Sequence, residues 1–374
     1  MNKFIPVCTP LLIGNEKKYL MDAIESNWIS SAGKYVDLFE RQFAKFCGVK
    51  FGVSTCNGTS ALHLALTAAG IRGGDEVILP TFTMIASAFS VCYCGAKPVF
   101  VDVNSKNWTI DVNKIEEKIS DKTKAIMPVN IYGHPADLLT IRKLCNKYNI
   151  LMIEDAAEGH GADINGIPCS QYSDISCFSF FSNKNITTGE GGMVVTNEHH
   201  LYELCRYFKN LCFPLQGPRE FKHEDIGFNY RMSNLHAAIG LAQTERAAEY
   251  IAMRINNGEM YRKFLSKVPG ISFQEDSPGY KNTYWMNAVV INKEEYGHDR
   301  DELIAYLNES NVDTRKLFIG MHRQPSLIKY GCKFDDEYLV CDMLSHNGLY
   351  LPSSSSLTKE EIFDICKLIS GFRN

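Results

Sequence analysis

Residues 138–155 read LLTIRKLCNKYNILMIED, a helical pattern followed directly by an apolar strand that ends at an acid. The same succession recurs through residues 50–200. Strand signals fall at 51–55, 76–79, 98–103, 125–129, 151–154, 175–180 and 192–196, with helical patterns such as 59–69 and 138–149 between them. Alternation of this kind predicts an α/β domain around a mixed, mainly parallel sheet flanked by helices. Helical patterns then dominate 232–265. Beyond them a strand at 284–291 and amphipathic helices at 300–310 and 359–370 predict a smaller α+β domain. The division expected is a large domain with its N-terminal segment over 1–245 and a small C-terminal domain over 246–374. No fixed-period repeat or low-complexity segment interrupts the reading.

The chain has 374 residues, of which 45% are hydrophobic and 22% charged, enough to bury a substantial core. Its formal net charge of -4 gives no basic surface for a nucleic acid. Thirteen cysteines are scattered, and Cys92 and Cys94 lack the second pair that a zinc site needs, so reduced thiols and no metal are expected. The opening MNKFIPVCTPLL has no long apolar run or small-residue cleavage site. The apolar stretch 83–96 is too short to span a bilayer and reads as a buried helix. A cytoplasmic protein without membrane contact is expected.

Ligands of open α/β sheets gather beyond the carboxyl ends of the strands. After strand 51–55 comes Asn57-Gly58-Thr59-Ser60 and a helix, where backbone N–H groups can bind phosphate; an ordinary capped turn is the alternative. After 151–154 stands Asp155, an acid at the mouth of a buried strand, where a protonated ring nitrogen is one cation that offsets desolvation. It can equally cap the next helix. After 175–180 the run SFFSNKNITTGEGG carries Ser179 and Lys184 from a Phe-rich strand into a glycine-rich turn. Partial desolvation there favours the neutral amine that condenses with an aldehyde, although a lone lysine after a strand is more often solvated. After 76–79, Phe82 offers a ring either to a flat ligand or to the core.

Together NGTSALHLAL, GDEVILPTFT, IEDAAEGHGA, SFFSNKNITTGEGGMVVTN and GFNYRMSNLHAAIGLAQ resemble the sugar aminotransferases of the DegT/DnrJ/EryC1/StrS family, over nearly the whole chain. GNEKKYL, NWISSAGKYV and 179–195 are most similar to its perosamine-forming members. The resemblance implies a fold-type-I aminotransferase whose large domain binds pyridoxal 5'-phosphate. It implies a homodimer in which both subunits line each active site. Lys184 would join the cofactor covalently and shuttle protons, Asp155 would hold the pyridinium nitrogen, and Glu158 would lie near the phenolic oxygen. Gly58, Thr59 and Ser179 would hold the phosphate, Asn229 would reach in from the partner, and Phe82 would stack on the ring. L-glutamate would be the amino donor and a 4-keto-6-deoxy nucleotide sugar, GDP-4-keto-6-deoxymannose first, the acceptor. Surface-polysaccharide assembly, O-antigen or capsule, would be the setting.

Where the nucleotide sugar should lie, the chain departs from the family pattern. Lys222 stands where a tryptophan is usual, and the run 313–322 lacks the usual prolines. Lys222, Arg315 and His322 are the candidate substrate contacts, with a surface ion pair as the other role for Arg315. A small phosphorylated ketone such as dihydroxyacetone phosphate is the alternative acceptor. A family dehydratase would replace Lys184 with histidine, and a cofactor-binding regulatory protein would be expected to lose Lys184 or Asp155. No GxxxxGK[ST] loop occurs, and GEGG lacks the setting of a dinucleotide fingerprint.

Overall fold

The computed structural model describes residues 3–218, 221–334 and 336–373. Two helices, α1 (Glu16–Glu25) and α2 (Lys34–Phe46), precede a seven-stranded sheet. Its strands are β1 (Phe51–Thr55), β2 (Glu76–Pro80), β3 (Lys97–Val101), β4 (Thr123–Ile126), β5 (Leu151–Asp155), β6 (Ile175–Ser179) and β7 (Gly192–Thr196), in the spatial order β1-β7-β6-β5-β4-β2-β3. Neighbours from β3 to β6 pair parallel, and β7 alone runs against the rest, antiparallel to both β6 and β1. Strands buried on both faces need continuous apolar runs, and those of β2 and β5 bury every residue after the first.

Helices cover both faces, among them α3 (Gly58–Ala68), α4 (Ile85–Tyr93), α5 (Leu138–Tyr148), α6 (His199–Lys209), α7 (Asn234–Glu245) and the long α8 (Ala247–Leu265). Asn57 caps α3 through its side chain and Asp137 caps α5, as expected of short polar residues ahead of an apolar helix. A second, four-stranded antiparallel sheet contains Ile271–Phe273, Asn287–Ile291, Gly348–Leu351 and Arg315–Lys316 in that order. The helices Arg300–Glu309 and Lys359–Gly371 pack on it around Leu303, Leu307, Ile362 and Ile365.

Two elements differ from the sequence reading. The strand expected from 284 begins at Asn287, because Tyr284 takes the left-handed φ of 43° and turns the chain first. The apolar stretch 83–96 yields only the nine-residue α4, which buries Ser87, Ala88, Ser90 and Val91 and leaves Tyr93 exposed.

The two sheets meet at Arg254 of α8, which is 2% exposed. Its guanidinium donates to the carbonyls of Ser353, Trp285 (3.1 Å) and Asn183 (3.4 Å), to Ser355 Oγ (3.0 Å) and to Cys8 Sγ (3.1 Å). A fully buried cation is tolerated only when its donors are all placed. Arg254→Leu removes the donor to the Ser353 and Trp285 carbonyls, while the Asn183 carbonyl keeps the Trp285 indole N–H, so unfolding in urea should show a loss of about 3 kcal/mol. A loss below about 1 kcal/mol would mean that Arg254 is not the tie between the sheets.

Candidate active site

The carboxyl ends of β1, β5 and β6 open on one cavity of about 310 Å³. Gly58 and Thr59 line it at the start of α3, Asp155, Ala157 and Glu158 follow β5, and Ser179, Asn183 and Lys184 follow β6. Trp285, Phe318 and Tyr350 form an aromatic wall contributed by the second half of the chain. Of the residues expected to meet, six do: Gly58, Thr59, Asp155, Glu158, Ser179 and Lys184.

Gly58 cannot be replaced without loss of this geometry. A Cβ there would lie 2.7 Å from Ser179 Cβ, so glycine lets the helix start approach the end of β6. The N–H of Ser60 is taken by the Asn57 side chain at 2.8 Å. The donors left for a ligand are therefore those of Gly58 and Thr59, which no intrahelical carbonyl can reach.

Lys184 stands on a loop pinched shut at its neck, where Phe180 N–H donates to Gly191 O and Thr188 N–H to Phe180 O. The Phe180 ring anchors that neck among Phe39 (5.0 Å) and Phe43 (4.9 Å). The Lys184 side chain is 9% exposed, and burial lowers its pKa against the opposing pull of Glu158 and Asp155. Its Nζ lies 3.8 Å from Glu158 Oε1. Glu158 Oε2 accepts from Tyr132 N–H at 2.7 Å, and burial pushes this carboxyl up to about 7. Asp155 accepts from Ser87 Oγ at 2.7 Å and from Ala157 N–H at 3.1 Å, yet burial still raises its pKa. A cation arriving beside Asp155 would relieve that cost.

Five expected contacts lie elsewhere. Phe82 does not offer its face to the cavity, because its ring is fully buried against Tyr132 and Phe318. His322 is also withdrawn: Nδ1 engages Thr81 Oγ1 at 3.1 Å, Nε2 engages Asp342 at 2.8 Å, and the ring stacks on Tyr338. Lys222 is exposed and pairs with Glu224 at 3.2 Å, away from the cavity. Arg315 pairs with Asp313, although its strand partner Tyr350 lines the cavity. Asn229 is exposed, outside its own chain's cavity, and accepts from Arg231.

Trp285 and Ser87 were not singled out by sequence reasoning. Ser87 left a signal, a hydroxyl inside the apolar run 83–96. Trp285 sits in a stretch that reads as strand, with nothing local to mark it. Among the described residues no cluster of metal-binding side chains occurs, and no helix is long and apolar enough to cross a membrane.

The profile of the DegT/DnrJ/EryC1/StrS aminotransferase family matches residues 11–370. The chain belongs to this family. It is 42% identical over 370 residues to GDP-perosamine synthase of Escherichia coli O157:H7, with 99% of each chain covered. To GDP-perosamine synthase of Vibrio cholerae it is 40% identical, again over 99% of each. The solved structure of DesI in the presence of its TDP-sugar product superposes with a TM-score of 0.91 at 28% identity, covering 100% of this chain and 94% of that one.

As a member of this aminotransferase family the chain is a pyridoxal-phosphate enzyme, and its residues fit the cofactor. Gly58 and Thr59 N–H groups with Ser179 suit a phosphate, the buried Asp155 suits a pyridinium nitrogen, and Lys184 would supply an amine for the aldehyde.

Without cofactor, Glu158 gives the folded protein a pH signature. From about 4.5, its ordinary value, to about 7 the folded state holds a proton that the unfolded chain has released. Stability therefore falls as pH rises through that window, by at most about 3 kcal/mol. Glu158→Gln should remove this decline, measured as the difference in urea unfolding between about pH 5 and about pH 7. A decline of equal size in the variant would show that another group carries it.

Proposed function

We propose that the protein transfers the amino group of L-glutamate to the C4 carbonyl of a 4-keto-6-deoxy nucleotide sugar, GDP-4-keto-6-deoxymannose first. The observation that carries the reaction class is the convergence of Lys184, Asp155, Glu158 and the Gly58/Ser179 cradle on one cavity. Support for the acceptor comes from the two relatives named GDP-perosamine synthase, which match the chain over 99% of its length.

When bound, pyridoxal phosphate supplies an electron-poor ring that accepts the electron pair released when the carbon bearing the amine loses its proton. Asp155 keeps the ring nitrogen protonated, and its burial makes that cation welcome. The freed Lys184 amine moves the proton, which requires the neutral form that desolvation favours. Glu158 stands beside Lys184 to share that proton. Donor and sugar use one cavity in turn, so ping-pong kinetics are expected.

The same reading includes a homodimer with shared sites, a large domain over 1–245 and a small one over 246–374. Exposed Met84 and Phe181 on the rim of the cavity, and Asn229 outside it, support a second copy lying across the opening. A cytoplasmic role in assembling O-antigen or capsule completes the proposal.

Mass-detected amination with L-glutamate tests the acceptor, with GDP-4-keto-6-deoxymannose, the dTDP- and UDP-linked 4-keto-6-deoxyglucose analogues and dihydroxyacetone phosphate compared side by side. An aminated GDP-sugar is expected, and Lys184→Ala should abolish it. Amination of the small phosphate alone would overturn the sugar reading. For the shared site, Asn229→Ala should weaken retention of pyridoxal phosphate about tenfold, the effect of one hydrogen bond to a charged group. In mixed dimers of the Asn229→Ala and Lys184→Ala chains the one site that keeps Lys184 should regain wild-type retention of pyridoxal phosphate; retention as weak as in Asn229→Ala would count against sharing.

A further inference from the structure

One neighbour of Lys184 has no part in the roles above. The amine nitrogen lies 3.5 Å from the centroid of the Trp285 ring, over the face where an indole's π cloud is negative. Trp285 is 3% exposed and lines the cavity. Its indole N–H donates to the carbonyl of Asn183, the residue before Lys184, at 2.9 Å. The side chain thus holds Lys184 at both ends, by its face at the amine and by its edge at the backbone.

Trp285 is itself firmly placed. Arg254 takes its carbonyl at 3.1 Å, and the Tyr132 ring stacks near-parallel to the indole, with centroids 6.2 Å apart. The N–H of Tyr132 in turn fixes Glu158, whose other oxygen is 3.8 Å from Lys184. Lys184, Trp285, Tyr132 and Glu158 therefore form a closed ring of contacts, three of whose members share no local sequence with Lys184.

We propose that Trp285 is a positioning residue for the reaction, its indole face holding the freed Lys184 side chain and receiving its ammonium once the neutral amine has taken up a proton. The inference rests on the reading of Lys184 as the reacting amine. A long, flexible side chain released into a cavity of about 310 Å³ would otherwise spread over several rotamers, most of them out of reach of the carbon whose proton it must move. The carboxylates that face Lys184, Glu158 and Asp155, attract the ammonium but can also take its proton, and the Cys8 thiol and the buried His160 ring also lie within its field. Glu190 and Tyr350 lie on the cavity walls and Arg254 behind Asn183. Among these groups an aromatic face alone attracts the charge without being able to accept the proton.

The test reads the amine and not turnover. In the full chain freed of cofactor, modification of Lys184 by an amine-selective acylating reagent, followed by peptide mass spectrometry across pH, gives the midpoint of its titration. Loss of the ring in Trp285→Leu should lower that midpoint by about one pH unit, the scale of a desolvated cation–π contact. Trp285→Phe, which keeps a ring face and loses the N–H, should stay close to wild type. A third arm covers the case in which Trp285→Leu does not fold. Replacing the three tryptophans of the chain with fluorinated analogues keeps shape while weakening the π face, and the midpoint should fall stepwise with fluorine number. Equal midpoints for wild type, Trp285→Leu and the fluorinated protein would overturn the proposal, as would a shift in Trp285→Phe as large as that in Trp285→Leu. No sugar substrate enters the measurement, so a wrong acceptor leaves it intact; loss of the Lys184 role itself would show as turnover surviving Lys184→Ala.

Discussion

A guanidinium with no carboxylate partner among the described residues joins the seven-stranded and four-stranded sheets of this molecule. Arg254 spends its donors on backbone carbonyls and small polar atoms from Cys8, Asn183, Trp285 and the 353–355 turn. Carbonyls in three separate chain segments can be brought to one point only if all three segments hold their positions. The arginine is thus a geometric constraint as much as a source of stability. Asn183 precedes Lys184 and Trp285 faces it, so the placement of the Lys184 amine is decided by the junction between the sheets and not by its own loop alone.

Around that amine a single physical cause does most of the tuning. Desolvation drives Lys184 toward its neutral form and drives Asp155 and Glu158 toward theirs. Three groups that would be fully ionised in water become groups that trade protons at modest cost. The hydrogen bonds to Asp155 and Glu158 keep those carboxyls aimed while opposing only part of the desolvation.

Much of the fold and the chemistry of one wall of the cavity were legible in the sequence because their signals are local. An apolar run that ends in Asp155, a Phe-rich strand that releases Ser179 and Lys184, and a glycine at a helix start each show within a few residues. What was not legible depends on contacts across the chain. Ser87 reaches Asp155 over 68 positions and Trp285 reaches Asn183 over 102. Phe82 and His322 show a different limit. Residue type marked Phe82, and the family pattern marked His322, as suited to a ligand, but the turn after β2 faces Thr83 and Met84 to the cavity, and Thr81 and Asp342 claim both ring nitrogens of His322. Local pattern gives the kind of side chain on a turn and leaves open which one the turn presents.

The lone reversed strand carries a consequence for how the chain comes off the ribosome. β1 borders only β7 in the sheet, so it has no strand partner until residues 192–196 have been made, long after β2 to β5 can pair with one another. The helix start at Gly58 depends on β6 and β7 in the same way, meeting Ser179 on one side and, through Asn57, Gly192 on the other. The earliest-synthesised wall of the cavity is therefore among the last to be assembled, and until then β1 is an unpaired strand of the kind that neighbouring nascent chains can capture.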